Sequence, residues 1–258
     1  GGGGGGGGRI AVRVTSSTFG SNHFTGTYTA WGGASGSTNP MRFGGAGTIY
    51  LTSNNRSDPD HILADNGGRP GTNTLVSDSG SFDIIIRDGA IATFPSQYTS
   101  IRNLLVASNG WLAAANQFVN IARGTATIEA GGGIIADRAG FAPGQGLGAG
   151  SSRTSATYGY TGGGGGHGGP GAPSDGGAPG GNANGVVLFP YTGSGGFPGS
   201  GGGGNPASSA GAGGGIVRLT AAALHLDGRI SADGGHGIYQ HGGGGAGGSI
   251  SLDIGTLA

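Results

Sequence analysis

The chain has 258 residues, with 68 glycines, 11 prolines, no cysteine and no lysine, and its twelve arginines balance eleven aspartates and Glu129 to a formal net charge of zero. The lack of a basic excess argues against nucleic acid as a partner, since neutralising phosphates takes clustered cations. No apolar run approaches a bilayer-spanning length and no basic amphipathic helix could lie on a membrane, so membrane insertion is not expected either. Without Cys there are no disulfides and no thiolate metal sites. Hydrophobic residues make up 34% against 9% charged, and they gather in short β-branched clusters, which points to one folded domain instead of a solvated disordered chain.

Gly1–Gly8 run into "RIAV", and the same device recurs along the chain. Glycine followed by an apolar-x-apolar strand appears at Ile10/Val12, Ile49/Leu51, Val217/Leu219 and Ile250/Leu252. Period-two alternation of this kind is the mark of a half-buried strand. Between the second and third copies lie further short apolar runs, at Ile84–Ile86, Ile91–Phe94, Leu104–Val106, Phe118–Ile121 and Ile128. Residues 111–122, "WLAAANQFVNIA", could be helical by composition, but their neighbours predict a strand or corner. A second signature pairs "GGIIADRAG" with "GRISADGG", each ending a strand in Ala-Asp, at Asp137 and Asp233.

In "GGGIVRLTAAALHLDGRISADGG" the pairs Val217/Leu219, Leu224/Leu226 and Ile230/Ala232 read as three short strands separated by small-residue corners. This predicts one turn of a triangular solenoid. The fold expected from the sequence is therefore all-β: a parallel, right-handed β-helix in which each coil needs its neighbours to bury its inner face. One unit spans 1–258, with coils over 1–140 and 216–258 and a glycine-rich excursion over 141–215. Tracts 141–215 and 234–248 are expected to pack as extended, polyglycine-II-like chains, because glycine alone permits such close approach; flexible linkers are the other reading.

The stretches "GGAGTIYL", "ADNGGRPG", "GAGGGIVRLTAAALHLDGRISADGG" and "GGAGGSISLDIGTL", taken with the opening "GGGGGGGGRIAV", resemble the glycine-rich β-helix repeats of very large secreted bacterial and protist surface proteins. That resemblance implies a β-helical fold at a cell surface or in a matrix, and it implies no reaction. It also implies that this segment is an excerpt of a longer repeating polypeptide.

Candidate chemistry is sparse. "SDPDHILAD" gathers Asp58, Asp60, His61 and Asp65, which suits a calcium site or a pair of glycosidase carboxylates, although Ser-Asp-Pro-Asp is equally ordinary turn chemistry. Asp58, Asp60 and Asp65 are thus the weak metal candidates, and no cofactor is expected. Asp137 and Asp233 are expected to cap corners. His167, His236 and His241 sit in glycine tracts; His236 and His241 could ligate a metal, and hydrogen-bonding spacers are the other reading. Tyr158, Tyr160, Phe189, Tyr191, Phe197 and Tyr239 punctuate the loops, either as binding anchors or as pins for the glycine segments. Asn55-Arg56-Ser57 is a glycosylation sequon only in a eukaryotic secretory host. The functional expectation is a non-catalytic structural repeat of an extracellular filament, sheath or surface layer, whose partner is itself and whose further partners are surface glycans. The alternative is a carbohydrate-binding or carbohydrate-active β-helix centred on Asp58, Asp60 and His61.

Overall fold

The computed structural model describes residues 2–15, 26–36, 43–53, 60–76, 82–184, 196–204, 209–238 and 241–258. The described chain is all-β, with no α-helix, and its regular elements fall into three sheets. The largest contains β1 (Arg9–Val14), β2 (Thr48–Ser53), β3 (His61–Asp65), β5 (Asp83–Arg87), β8 (Asn103–Val106), β10 (Gln117–Ile128), β14 (Ile216–Leu226) and β16 (Ser249–Leu257), hydrogen-bonded in that order. A ninth strand, β7 (Tyr98–Ser100), also pairs with β10. The second sheet orders β15 (Arg229–Ser231), β11 (Gly133–Ile135), β9 (Trp111–Ala113), β6 (Ile91–Thr93) and β4 (Asn73–Leu75). The third is a hairpin of β12 (Ser152–Ser155) and β13 (Gly159–Gly162).

All four glycine-led repeats form strands, and they pair off as β1 with β2 and β14 with β16. The core lies between the two larger sheets. Ile62, Ile84, Leu104, Ala126 and Leu224 are register partners along the nine-stranded sheet, and all are buried. Ala92, Leu112 and Ile134 are partners in the five-stranded sheet and are fully buried within the same cluster. Burying an aliphatic side chain of this size contributes about 1.5–3 kcal/mol.

Tight turns carry the chain from the first sheet to the second. In residues 66–69, 87–90, 107–110 and 129–132 the amide of the last residue bonds the carbonyl of the first. Each turn contains a left-handed residue, among them Gly67, Asp88, Asn109 and Gly131. These positions favour Gly, Asn and Asp, which accounts for the "NGG", "DG", "NG" and "GG" dipeptides and tripeptides found there.

This architecture corrects the expected β-helix. The strands form a mixed nine-stranded sheet and separate smaller sheets instead of repeating three-sided coils: β2 and β3 are antiparallel, while their neighbours pair in parallel. The segment whose spacing predicts three strands is the clearest case. Val217/Leu219 and Leu224/Leu226 belong to one eleven-residue strand, β14. "TAAA" contains no residue that forces a corner, so the strand runs on, and the register shift beside Ile121/Thr125 absorbs the irregularity. Residues 111–122 form β9 and the start of β10.

The glycine tracts form a block of extended segments without sheet pairing. Their amides point in three directions in turn. Gly163 donates to Ser151, Gly164 to Ala172, Gly165 to Gly244, and Gly166 back to the first segment at Gly148, at 2.7–2.9 Å. Likewise Gly201, Gly202 and Gly203 donate to Gln145, Gly211 and Gly163, each at 2.9 Å. A repeat of three matches the screw of a polyproline-II-like chain, so each segment bonds neighbours all around it. A Cβ on Gly163 or Gly203 would fall onto the backbone of Pro179 or Ser151 respectively. A smaller bundle does the same at the start of the chain, where Gly7 donates to Gly45, Gly33 to Gly5 and Thr48 to Gly8.

Candidate functional site

Asp60 and Asp65 flank β3, and the pleat sends them to opposite faces. Asp60 shares the face of Tyr50 and Thr52, and accepts from the Tyr50 hydroxyl (3.1 Å), Thr52 Oγ1 (2.6 Å) and the Ser53 amide (3.2 Å). Burial pushes its carboxyl up, but the three donors and the charge of Arg102 outweigh that, leaving it below the usual carboxylate range. Tyr50 responds in the opposite sense. Burial, reinforced by the hydrogen bond and charge of Asp60, raises its phenol above the ordinary value.

Asp65, on the other face, accepts from Trp31 Nε1 (3.1 Å), the Gly67 amide (2.7 Å) and Arg87 Nε (2.8 Å). Five residues of strand separate the two aspartates by roughly 16 Å, well beyond the 5–10 Å over which paired glycosidase carboxylates cooperate. Asp60 and Asp65 therefore do not form such a pair, and the centre expected at Asp58, Asp60 and His61 includes a residue outside the described ones. His61 projects with Leu63 and Asp65 on the outer face, away from Asp60. Asp58, the Asn55-Arg56-Ser57 sequon, Phe189, Tyr191 and Tyr239 lie outside the described residues. Among the described residues no group of three or more His, Asp or Glu side chains is placed to hold a metal ion.

The remaining candidates are scattered. Asp137 ties two stacked corners, accepting from the Asp233 amide (2.8 Å) and Arg229 Nη2 (3.4 Å). His167 lies between Ser249 Oγ (3.1 Å) and Asn184 Oδ1 (3.5 Å), while His236 lies 3.3 Å from Arg138 Nη2. Phe197 is 44% exposed and Tyr160 is 52% exposed, so neither serves as a buried pin. Sequence reasoning missed the group around Trp31, whose indole packs on Gly67 and sits under the Arg69 guanidinium at 5.9 Å. It also missed Asn66, fully buried, which accepts from the Gly32 amide and donates to Gly44 and Arg69 carbonyls, joining the small glycine bundle to the sheet. The tripeptide "DNG" was the available signal.

Two clefts stand out. One of about 600 Å³ lies against the core-facing side of β1–β3, lined by Arg9, Ala11, Tyr50, Ile62, Leu75 and Phe82. Tyr50 and Phe82 meet edge to face there, with ring centroids 5.4 Å apart. The other, of about 440 Å³, opens on the glycine block beside the β12–β13 hairpin. No helix among the described residues is long and apolar enough to cross a membrane. Comparison with protein-family models, with curated proteins and with solved structures finds no match to this chain.

Proposed function

We propose that this chain is a non-catalytic structural unit of an extracellular filament, sheath or surface layer, and that it joins like units through the edges of its large sheet. One observation carries this reading. On β16 the side chains of Ile250 and Leu252 are each 38% exposed, although their register partners Val217 and Leu219 are buried core residues. Leu257 beyond them is 69% exposed. The apolar layer is thus open at this strand, and β16 pairs on one side only, with β14, among the described residues. β1 holds the corresponding position at the other end of the sheet. Natural proteins blunt such edges with charge, proline or a covering element, because an unpaired edge templates further pairing. A contact between unlike edges does not close on itself and propagates as a filament. The resemblance of the glycine-led strands to secreted surface proteins supports the location.

Light scattering and electron microscopy of the purified chain test this. Assemblies that grow with concentration are expected, and Leu252→Lys, which places a charge on the open apolar edge, should shift them at least tenfold toward the single chain. A particle that stays monomeric at all concentrations would overturn the proposal.

A further inference from the structure

The cleft beside the hairpin is built differently from the rest of the molecule. Its walls are Tyr158, Thr161, Pro173, Asp175, His241 and Gly242. Tyr158 lies on the turn joining β12 and β13, half exposed at 49%, and the amides of Thr157 and Tyr158 both bond Ser155 Oγ, which holds the turn in shape. Asp175 stands at the tip of a second tight turn. There Ser174 and Ala178 bond each other through their backbones, and Ser174 Oγ accepts from the Ala178 amide and donates to Thr161 Oγ1. Gly176 in that turn lies so close to Thr161 that a Cβ would meet its side chain. His241 is fixed from the third side, its carbonyl accepting from the Gly162 amide at 2.7 Å.

The backbone of this cleft is thus rigid, yet its polar tips are unspent. The Asp175 carboxylate, the His241 imidazole and the Gly242 amide make no hydrogen bond or ion pair with any described residue. Among the described residues no arginine lines the cleft, and Arg153 is turned to the Gly177 carbonyl (3.4 Å), so the described walls hold no guanidinium fork for a phosphate, sulfate or uronate. It offers instead an aromatic face, a carboxylate able to accept from two adjacent hydroxyls, and an imidazole and an amide able to complete their hydrogen bonds. A pyranose ring presents the complement, with C–H groups on its flat face and vicinal hydroxyls at its rim. We infer that this cleft binds neutral pyranose units of a glycan chain. Tyr158 is the platform and Asp175 the principal acceptor. The site belongs to the glycine block and is independent of the sheet edges.

The test is titration of the full chain with cellohexaose, mannohexaose and chitohexaose, followed by amide chemical shifts and calorimetry. At least one probe is expected to bind with a Kd of about a millimolar or tighter, with shifts centred on Gly159, Gly162 and Gly242. Tyr158→Ala and Asp175→Asn should each weaken it roughly tenfold or more, while Tyr158→Phe, which keeps the ring, should retain it. Because Tyr158 is exposed, an unchanged circular dichroism spectrum is expected for all three. If none of the probes moves those resonances, or if binding survives both Tyr158→Ala and Asp175→Asn, the inference is wrong. Binding whose shifts map elsewhere overturns it equally.

Discussion

Eight identical residues open the sequence, and the surroundings of the described ones differ sharply. A Cβ on Gly7 would meet the backbones of Ala30 and Gly47, whereas one on Gly6 or Gly8 would meet nothing within 4 Å. Gly7→Ala should therefore cost about 1–3 kcal/mol through overpacking. Gly6→Ala should be neutral or gain a few tenths of a kcal/mol from the stiffer unfolded chain. Thermal melts of the two variants decide this, and equal effects would contradict the packing described. Asp60 gives a second prediction at this scale. Its carboxyl is held below the value of about 3.9 that an unfolded aspartate shows. A depressed acid stabilises the native state above the unfolded pKa and loses that contribution as pH falls through the native one. Asp60→Asn should accordingly lower stability at pH 7, and the gap to the parent should narrow progressively below about pH 4. A gap independent of pH would mean that the carboxylate charge does nothing there.

At the scale of elements, alternation located the strands well, because one face of each is buried and a slip of one residue would expose it. Ile84, Ile86, Leu104 and Val106 are buried at alternate positions, as their spacing requires. Alternation does not say where a strand ends, which is why the spacing of Val217/Leu219 and Leu224/Leu226 predicts two strands where β14 is one. In β14 the buried positions switch from Val217, Leu219 and Ala221 to Leu224 where β10 carries its register shift, and without the partner strand that switch looks like a corner. The true corners are written in the dipeptides "DG" and "NG", at Asp88-Gly89 and Asn109-Gly110. Asn109 has a φ of 55° in one of them. Asn109→Gly should be close to neutral, since glycine accepts that conformation freely. Asn109→Val should lose about 1–2 kcal/mol by forcing a branched side chain into the left-handed region. Urea unfolding of the two variants separates them, and similar midpoints would show that the corner relaxes. The candidate site was less legible than the strands. Asp60 is close in sequence to His61 and Asp65, but a strand sends alternate side chains to opposite faces, so Asp60 is separated from both in space. Tyr158, Asp175 and His241 line one cleft from three distant segments, and only the glycine block brings them together.

For the molecule as a whole, the unusual term is the glycine block. Ordering glycine costs more conformational entropy than ordering any other residue, and here few side chains bury area in return. Backbone hydrogen bonds in three directions and close backbone contact must offset that cost together, each bond contributing about 0.5–1.5 kcal/mol net. The composition suggested close packing but not its partners, because glycine carries no pattern that specifies a neighbour. The partners are set by the punctuation: Ala210 and Ala178 are buried within the block, and His167 and Ser249 bridge its segments. β1 and β16 lie at the two ends of the large sheet, each paired on one side among the described residues. Amide hydrogen exchange, read residue by residue on a uniformly labelled sample, tests the central claim most directly. The amides of Gly163–Gly166, Gly201–Gly203, Gly211, Gly213 and Gly214 should exchange as slowly as those in the middle of β10 and β14, protected by many orders of magnitude over a free chain. Exchange of these glycines at free-chain rates while β10 and β14 stay protected would contradict it.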